Sequence, residues 1–162
     1  MARVHLICGR ICSGKTWYAH RLKEKEKAVV LSTDEITLAL PQDAIRDCFD
    51  DVSRGVNDYL LNKSLEIIAA GVSVILDWGF WTRKNREDAR RFYSGKGIET
   101  VFHYIETDGE TLTKNIAARN LAVERGQVTA FLVDEGLAGK CENLFEVPAP
   151  EEIDCWVDNR RP

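Results

Sequence analysis

One short segment combines glycines, a lysine and a hydroxyl residue at a spacing that suits a phosphate group. Residues 9–16, GRICSGKT, match the pattern G-x-x-x-x-G-K-[S/T] at every fixed position. The glycines allow successive backbone N–H groups to point at phosphate oxygens, and a helix that begins near Lys15 presents its positive end to the same anion. We expect Lys15 to reach the β- and γ-phosphates of a nucleotide and Thr16 to ligate Mg²⁺. The predicted contacts to ATP come from Gly9, Cys12, Ser13, Gly14, Lys15, Thr16 and the adjacent Trp17.

The alternative is a chance string of glycines and a lysine in an ordinary turn. At average residue frequencies the pattern arises by accident in roughly one chain of this length in a few hundred. Its position directly after an apolar run, 4–8, and directly before a helical segment makes an accident rarer still. The sequence therefore predicts nucleotide binding.

Apolar runs of strand length alternate with segments of helical periodicity along the chain. The runs are 4–8, 28–31, 72–76, 101–105 and a weaker 155–157. The helical segments are one that begins near Lys15, then 53–70, 82–94, 109–124 and about 129–139. We expect Thr82 and Asp108 to cap the third and fourth of these segments. Nearly continuous apolar runs are typical of strands that are covered on both faces, and strict alternation with helices predicts a parallel sheet. We expect an α/β protein with a single domain over residues 1–162.

Composition and charge exclude several classes of protein. The 162 residues carry 22 basic and 26 acidic side chains and a net charge of −4, which argues against a long nucleic acid as a partner. The five cysteines form no C-x-x-C pair and indicate reduced thiols. The first apolar run is too short for a signal peptide, and no stretch approaches the ~20 apolar residues of a membrane helix. We expect a soluble, cytoplasmic protein without a membrane partner.

Four further segments, together with the phosphate loop, carry a resemblance to a known family. They are STDE at 32–35, LDWGFW at 76–81, RN at 119–120 and LFEVP at 144–148. Over about its whole length the chain resembles the small single-domain AAA-type ATP-binding kinases that are similar to chloramphenicol phosphotransferase, zeta toxins and polynucleotide 5′-hydroxyl kinases. The resemblance implies the P-loop NTPase fold, a three-layer α/β/α sandwich around a five-stranded parallel sheet in the order 2-3-1-4-5. It also implies a small helical lid at about 115–130.

Asp34 follows the second apolar run, where the ligand crevice of a parallel sheet is expected. A carboxylate there can accept the proton of an attacking hydroxyl group, and the related phosphotransferases keep an aspartate in the corresponding place as the base. Two alternatives remain at this stage. Asp34 could instead cap a helix over about 35–40, or Glu35 could be the base.

Asp77 ends the third apolar run and resembles the aspartate that holds Mg²⁺ through water, together with Thr16. Its alternative role is to cap the next helix. The aromatic residues that follow, Trp78, Phe80 and Trp81, could form the wall of an acceptor pocket or a stacking surface. They could equally be part of the core.

Four arginines are candidates for contacts with anionic groups. Arg83 and Arg86 lie three residues apart on one predicted helix and could bind an anionic part of the acceptor, or they could form a solvated basic face. Arg119 and Arg125 lie near the end of a later helix, at the position of the lid in small kinases. There they could close over the phosphates and offset charge in the transition state, or they could only complement the helix dipole.

These residues together predict a phosphotransferase that uses ATP and Mg²⁺ and transfers the γ-phosphoryl group to a hydroxyl group of a small molecule. The expected catalytic residues are Lys15, Asp34, Arg119 and Arg125. One alternative is a kinase of nucleotide or nucleic-acid 5′-hydroxyl groups. Another is a nucleotide-binding switch or ATPase that has no acceptor. The sequence makes no prediction of the oligomeric state.

Overall fold

A computed structural model describes residues 1–159 and places a five-stranded sheet at the centre of the protein. The strands are β1 Val4–Cys8, β2 Val29–Leu31, β3 Val74–Gly79, β4 Thr100–Glu106 and β5 Cys155–Asp158. All paired strands are parallel, and their order is β2-β3-β1-β4-β5. The predicted fold class and strand order are therefore confirmed. Every residue of the central strand β1 is buried, which explains its continuous apolar run.

Helices connect the strands, and most lie where periodicity predicted them. They are α1 Lys15–Glu26, α2 Thr33–Ala39, α3 Gln42–Ile45, α4 Phe49–Ala69, α5 Arg83–Ser94, α6 Gly109–Glu124 and α7 Glu135–Leu144. Short 3-10 turns occupy Arg46–Cys48 and Pro150–Glu152. The expected caps are present at Thr82, which forms a capping box with Asn85, and at Asp108.

The predicted start of the last helix, at about residue 129, is wrong. Helix α7 begins only at Glu135, because the Asp134 side chain accepts a hydrogen bond from the backbone of Leu137 and caps it there. The preceding backbone is held in another way. The side-chain amide of Asn120 both donates to and accepts from the backbone of Val133. Residues 125–134 therefore form an irregular stretch after α6. The predicted helical lid at about 115–130 covers the second half of α6 and the first part of this stretch, and its role as a lid stays a prediction.

The core lies on both faces of the sheet. On one face Leu6, Leu76 and Phe102 pack with α4 and α5. On the other face Ile7 and Ile75 pack with α1. These two clusters give the layered arrangement that the sequence predicted. Within residues 1–159, no helix combines the length and apolar character needed to cross a membrane.

Candidate active site

The phosphate loop, residues 9–16, joins β1 to the first turn of α1. Gly14 adopts a φ of +94° at the start of α1, and a Cβ atom there would collide with the side chain of Asn159. Gly9 is buried, and a Cβ atom on it would lie 2.7 Å from Ser13 Oγ. Both fixed glycines of the motif are therefore required by local geometry.

Three side chains that the sequence did not single out hold this loop. Asn159 Nδ2 and Thr107 Oγ1 both donate to the backbone oxygen of Ser13, at 2.6 and 3.2 Å. Asn115 Nδ2 donates to the backbone oxygen of Cys12 at 3.0 Å. Thr107 and Asn159 directly follow β4 and β5, so the crevice rule for parallel sheets that drew attention to Asp34 applies to them as well.

Lys15 and Thr16 occupy the positions that phosphate and metal chemistry require. Lys15 Nζ donates to the backbone oxygen of Arg10 at 2.6 Å, so the ammonium lies over the loop. Its burial lowers the pKa of the Lys15 side chain, and the nearby carboxylate of Asp77 acts in the opposite direction. Thr16 Oγ1 donates to Asp77 Oδ2 at 2.6 Å. A hydroxyl and a carboxylate in contact are a donor set that fits Mg²⁺, which prefers oxygen ligands.

Asp34 lies in the first turn of α2 and lines the same cavity as Lys15 and Asp77. It is not the cap of this helix, because the side chain of Ser32 accepts the hydrogen bond from the backbone of Glu35. The surrounding cavity walls raise the pKa of the Asp34 carboxyl by burial, and the charge of Asp77 raises it further. The Asp34 carboxyl is accessible to water within the cavity.

Two cations oppose this shift in the pKa of Asp34, namely Arg119 and Lys15. The structure therefore brings together four side chains that the sequence named separately. Arg119 lies on α6 and lines the cavity, with Nη1 3.5 Å from Cys12 Sγ of the phosphate loop. A carboxylate, a lysine and an arginine thus lie around the point where a terminal phosphate would be held.

Arg125 does not take part in this arrangement. It is exposed at the C-terminal end of α6 and does not line the cavity. The prediction that both lid arginines act at the site therefore needs correction, because α6 turns Arg119 inward and ends at the position of Arg125. The position of Arg125 fits the alternative of a cation that complements the helix dipole.

The aromatic residues after Asp77 contribute to both the core and the cavity wall. Phe80 is 6% exposed, packs edge-on against Phe102 of β4 and belongs to the core cluster. Trp78 and Trp81 are half-buried, and Trp78 packs against the same cluster. All three line the cavity, and their role towards an acceptor stays a prediction.

Arg86 is not available to bind an acceptor, which corrects the sequence prediction. It is 2% exposed, and its Nε lies 2.7 Å from Glu152 Oε2. Its Nη1 donates to the backbone oxygens of Phe80, Trp81 and Glu146 at 3.1 to 3.3 Å. Arg86 thus ties the turn after β3 to the segment near the C-terminus.

Arg83 also lies outside the cavity. Its side chain pairs with Glu87 one turn later, and its backbone N–H donates to Glu146 Oε2 at 2.7 Å. The segment around Glu146 was part of the family resemblance. Its contacts with Arg83 and Arg86 hold the turn between β3 and α5, which forms part of the cavity wall. The sequence could not reveal that role, because the two segments lie about 60 residues apart.

The cavity has a volume of about 1790 Å³. Its walls are the phosphate loop, helices α2, α3 and α4, the turn from β3 into α5, helix α6 and residues 128–133. Single small-molecule sites usually occupy about 300–1000 Å³. The space therefore exceeds what one ligand requires.

Comparison with known families agrees with this geometry. The model of an AAA domain family, AAA_33, matches residues 4–138, which include the phosphate loop, Asp34, Asp77 and Arg119. The chain belongs to this AAA domain family. The match also covers the irregular stretch after α6 and the first part of α7 in this AAA domain.

Solved structures share the fold of this AAA domain at low sequence identity. An unliganded sugar kinase from Janibacter sp. HTCC2649 has a TM-score of 0.66 and 18% identity, over 100% of this chain and 88% of that chain. Chaetomium thermophilum Kti12 in complex with ADP-AlF3 has a TM-score of 0.72 and 14% identity, over 97% and 89% of the chains. The Mycobacterium tuberculosis APS kinase CysC in complex with AMPPNP and APS has a TM-score of 0.64 and 16% identity, over 99% and 90%. No curated protein matches the sequence significantly. The AAA domain thus has the fold of small P-loop kinases.

Proposed function

We propose that this AAA domain is a phosphotransferase that uses ATP and Mg²⁺ and transfers the γ-phosphoryl group to a hydroxyl group of a small molecule. The observation that carries the proposal is the position of Asp34. Its carboxyl lies within electrostatic reach of Lys15, Asp77 and Arg119 and is open to a cavity with space beyond a nucleotide. A carboxylate at that point has a use in phosphoryl transfer to an acceptor, whereas a nucleotide-binding switch does not need it.

The phosphate loop would hold the phosphate groups with its backbone N–H groups and with Lys15. Backbone N–H groups of residues 9–16 and the Lys15 ammonium neutralise the phosphate oxygens, and the positive end of α1 adds to this effect. Thr16 would ligate Mg²⁺ directly and Asp77 through water, in line with their mutual contact. When bound, Mg²⁺ neutralises charge on the phosphate oxygens.

Asp34 and Arg119 would act on the transferring group. The acceptor oxygen forms a bond to the γ-phosphorus while the bond from that phosphorus to the bridging oxygen of ADP breaks. The hydroxyl proton passes to the Asp34 carboxylate, whose raised pKa makes it a better proton acceptor. Arg119 donates to the oxygens of the transferring phosphoryl group, where charge develops in the transition state.

A binding measurement followed by a transfer assay tests this function. Isothermal titration with ATP and Mg²⁺ should give saturable binding to the wild-type protein and much weaker binding to Lys15→Ala. A library of hydroxyl compounds should then contain members that accelerate ADP release, and mass spectrometry should detect their phosphorylated products. ATP binding without any phosphorylated product, at an ADP release rate that no compound changes, would contradict the proposal.

A further inference from the structure

We propose that the acceptor of this site is a hydroxyl compound that has an apolar face and carries no anionic group. This inference rests on the proposed phosphotransferase function and specifies its substrate class. It follows from the part of the cavity beyond Asp34, which has rigid aromatic walls and a distribution of charge that disfavours anions.

The first wall is formed by two fixed indole rings. Trp78 stacks on Phe80, with ring centroids 5.8 Å apart and planes inclined by 22°. Trp81 lies against Gly79, where a Cβ atom would come within 2.5 Å of the indole Nε1. The backbone oxygen of Trp81 accepts hydrogen bonds from the backbone of Glu146 at 2.8 Å and from Arg86 at 3.3 Å. The two rings are therefore held in place before any ligand binds, which lowers the entropy cost of stacking on them.

Further aromatic rings line the cavity. Phe49 at the start of α4 packs edge-to-face against Phe131 of the irregular stretch, with centroids 5.5 Å apart. Both rings line the cavity, as does Phe92 on α5. Aromatic rings from several segments of the lining favour a ligand that itself presents an apolar surface, such as a ring or the C–H face of a sugar.

The charges on the cavity wall are arranged to disfavour an anionic acceptor. Within residues 1–159, the lysines and arginines that line the cavity are Lys15, Arg119 and Arg46. The first two lie at the phosphate end, where ATP would use their charge. Arg46 is paired with Asp43, one turn earlier.

Three carboxylates that have no part in the phosphate site also line the cavity, namely Glu35, Asp50 and Asp88, and over the described part of the chain they outnumber the one lysine or arginine outside that site, Arg46. We call this part of the lining the acceptor end. Asp88 is paired with Lys84 and Arg91. An anionic acceptor would therefore bring its charge close to two unneutralised carboxylates and to the bound triphosphate. Like charges brought together without a counter-ion weaken binding strongly. The remaining polar groups on this wall include Ser53 and Asn57, which can bind neutral hydroxyl groups.

Matched compounds test the inference on the protein saturated with Mg²⁺ and a non-hydrolysable ATP analogue. One set contains a phenyl glycoside, its uronic acid and its sugar phosphate. A second set contains a phenyl-substituted diol and the same diol bearing a carboxylate or an amine. In isothermal titration the uncharged or amine-bearing members should bind at least about 10-fold more tightly than their anionic counterparts. Equal or tighter binding of the anionic members, or no binding by any member, would overturn the inference.

Two variants, Asp50→Lys and Trp81→Ala, test whether charge and aromatic stacking cause this preference among the compounds. Asp50→Lys places a cation at the acceptor end and should narrow the gap between neutral and anionic members. Asp51→Lys is its control, since Asp51 lies in the same first turn of α4 but does not line the cavity. Trp81→Ala should weaken the aromatic neutral members roughly 10-fold or more, with the analogue still bound. If Asp50→Lys reduces the difference in affinity between neutral and anionic compounds no more than Asp51→Lys does, the carboxylate of Asp50 does not cause the preference.

The result separates two kinds of failure. If the protein binds no ATP analogue, the proposed function itself is wrong. If the analogue binds and the anionic members are preferred, or no member binds, only the inferred substrate class is wrong. Transfer assays on the tightest compounds then show whether the preferred members are also phosphorylated.

Discussion

Thr16 Oγ1 donates a hydrogen bond of 2.6 Å to Asp77 Oδ2, across 61 positions of sequence. Thr16 lies in the first turn of α1, and Asp77 lies near the end of β3. Strands β1 and β3 are parallel neighbours, with Cys8 of β1 aligned to Gly79 of β3. The pairing of these strands therefore delivers both oxygen groups to one edge of the sheet, where a metal ion and a phosphate can be held together.

Replacement of Lys15 by alanine should remove most of the affinity for ATP and leave the fold intact. The Lys15 ammonium is held above the loop by the backbone oxygen of Arg10, so its loss removes a charge-assisted contact to phosphate. We expect at least about a 10-fold rise in the dissociation constant in isothermal titration with ATP and Mg²⁺. Lys63→Ala is the control, since Lys63 is paired with Glu66 outside the cavity. An unchanged affinity in Lys15→Ala would mean that the loop does not bind phosphate.

Replacement of Asp34 by asparagine should slow phosphoryl transfer by at least ~100-fold while ATP affinity stays within a few-fold of wild type. The change removes the proton acceptor and preserves the shape of the side chain. Helix α2 should be unaffected, because Ser32 provides its cap. Thermal shift with and without ATP, paired with a transfer assay on the best acceptor, measures both effects. Transfer at the wild-type rate would exclude Asp34 as the base and direct attention to Glu35.

The pH dependence of the wild-type rate offers an independent check of Asp34. A protonated carboxyl cannot accept the hydroxyl proton, so the rate should fall as the pH decreases through the pKa of Asp34. Burial and Asp77 raise that pKa above 3.8, so the acid limb of the transfer rate should lie above the range of an ordinary aspartate. An acid limb at or below 3.8 would argue against this environment for the base.

Arg119 and Arg125 form a matched pair for testing the lid, since Arg119 lies in the C-terminal half of α6 and Arg125 is its C-cap. Arg119→Ala should lower kcat more than it weakens ATP binding, because its contact strengthens as charge develops on the phosphoryl group. Arg125→Ala should leave both quantities near wild type, since Arg125 is exposed and outside the cavity. Steady-state kinetics with a compound that the wild-type protein phosphorylates measures kcat and the KM for ATP of both variants. A larger loss of kcat in Arg125→Ala would reverse the assignment.

The sequence predicted the parts of this molecule that short-range rules control. The loop at 9–16, the caps Thr82 and Asp108 and the buried strand β1 follow from residue type and local spacing, and all lie where expected. The strand order followed from the family resemblance. Asp34 was located correctly at the end of β2 by the crevice rule, and the structure removed its alternative role as a cap.

Long-range contacts account for what the sequence did not reveal. Asn159 and Thr107 support the loop from the ends of strands that lie far along the chain. The crevice rule places both residues at the edge of the sheet but does not show which loop they contact. The irregular backbone before α7 is held by the contact between Asn120 and Val133, whereas the start of the helix itself is set by the local Asp134 cap. Arg83 and Arg86 are three residues apart, and the sequence predicted the same role for both. Only Arg86 points into the core, where it donates a hydrogen bond to Glu152, 66 residues later. Periodicity places both on one helix and does not show what packs against each.

That difference predicts unequal effects on stability. Arg86→Met leaves Glu152 and three backbone oxygens without their donor in a buried place, and loss of one partner of a buried ion pair costs about 3–5 kcal/mol. Arg83→Met removes a solvent-exposed pair with Glu87, and because exposed pairs contribute little to stability, its effect should be much smaller. Urea unfolding of both variants measures the contrast. Similar losses in the two would show that the buried network does not stabilise the turn after β3.

A pair of buried histidines on the α1 face of the sheet predicts that the protein loses stability in acid. His103 Nε2 lies 3.0 Å from His5 Nδ1, and His103 Nδ1 lies 3.0 Å from the hydroxyl of Tyr18. His103 is 3% exposed, and burial lowers its pKa from 6.5 to about 4, with the charge of His5 acting in the same direction. The folded protein therefore keeps His103 neutral at a pH where the unfolded chain already binds a proton.

Because the unfolded state binds more protons between pH 6.5 and pH 4, the free energy of unfolding should decrease as the pH falls through this window. The contribution of His103 reaches at most about 3 kcal/mol at the acid end. His103→Gln cannot titrate and keeps groups that hydrogen-bond to Tyr18 and His5, so its unfolding free energy should depend less steeply on pH. Urea titrations of wild type and variant at pH 7, 6 and 5 isolate the effect from carboxylates, which both proteins share. Parallel pH profiles for the two proteins would show that His103 titrates alike in the folded and unfolded states and would contradict its burial as a neutral group.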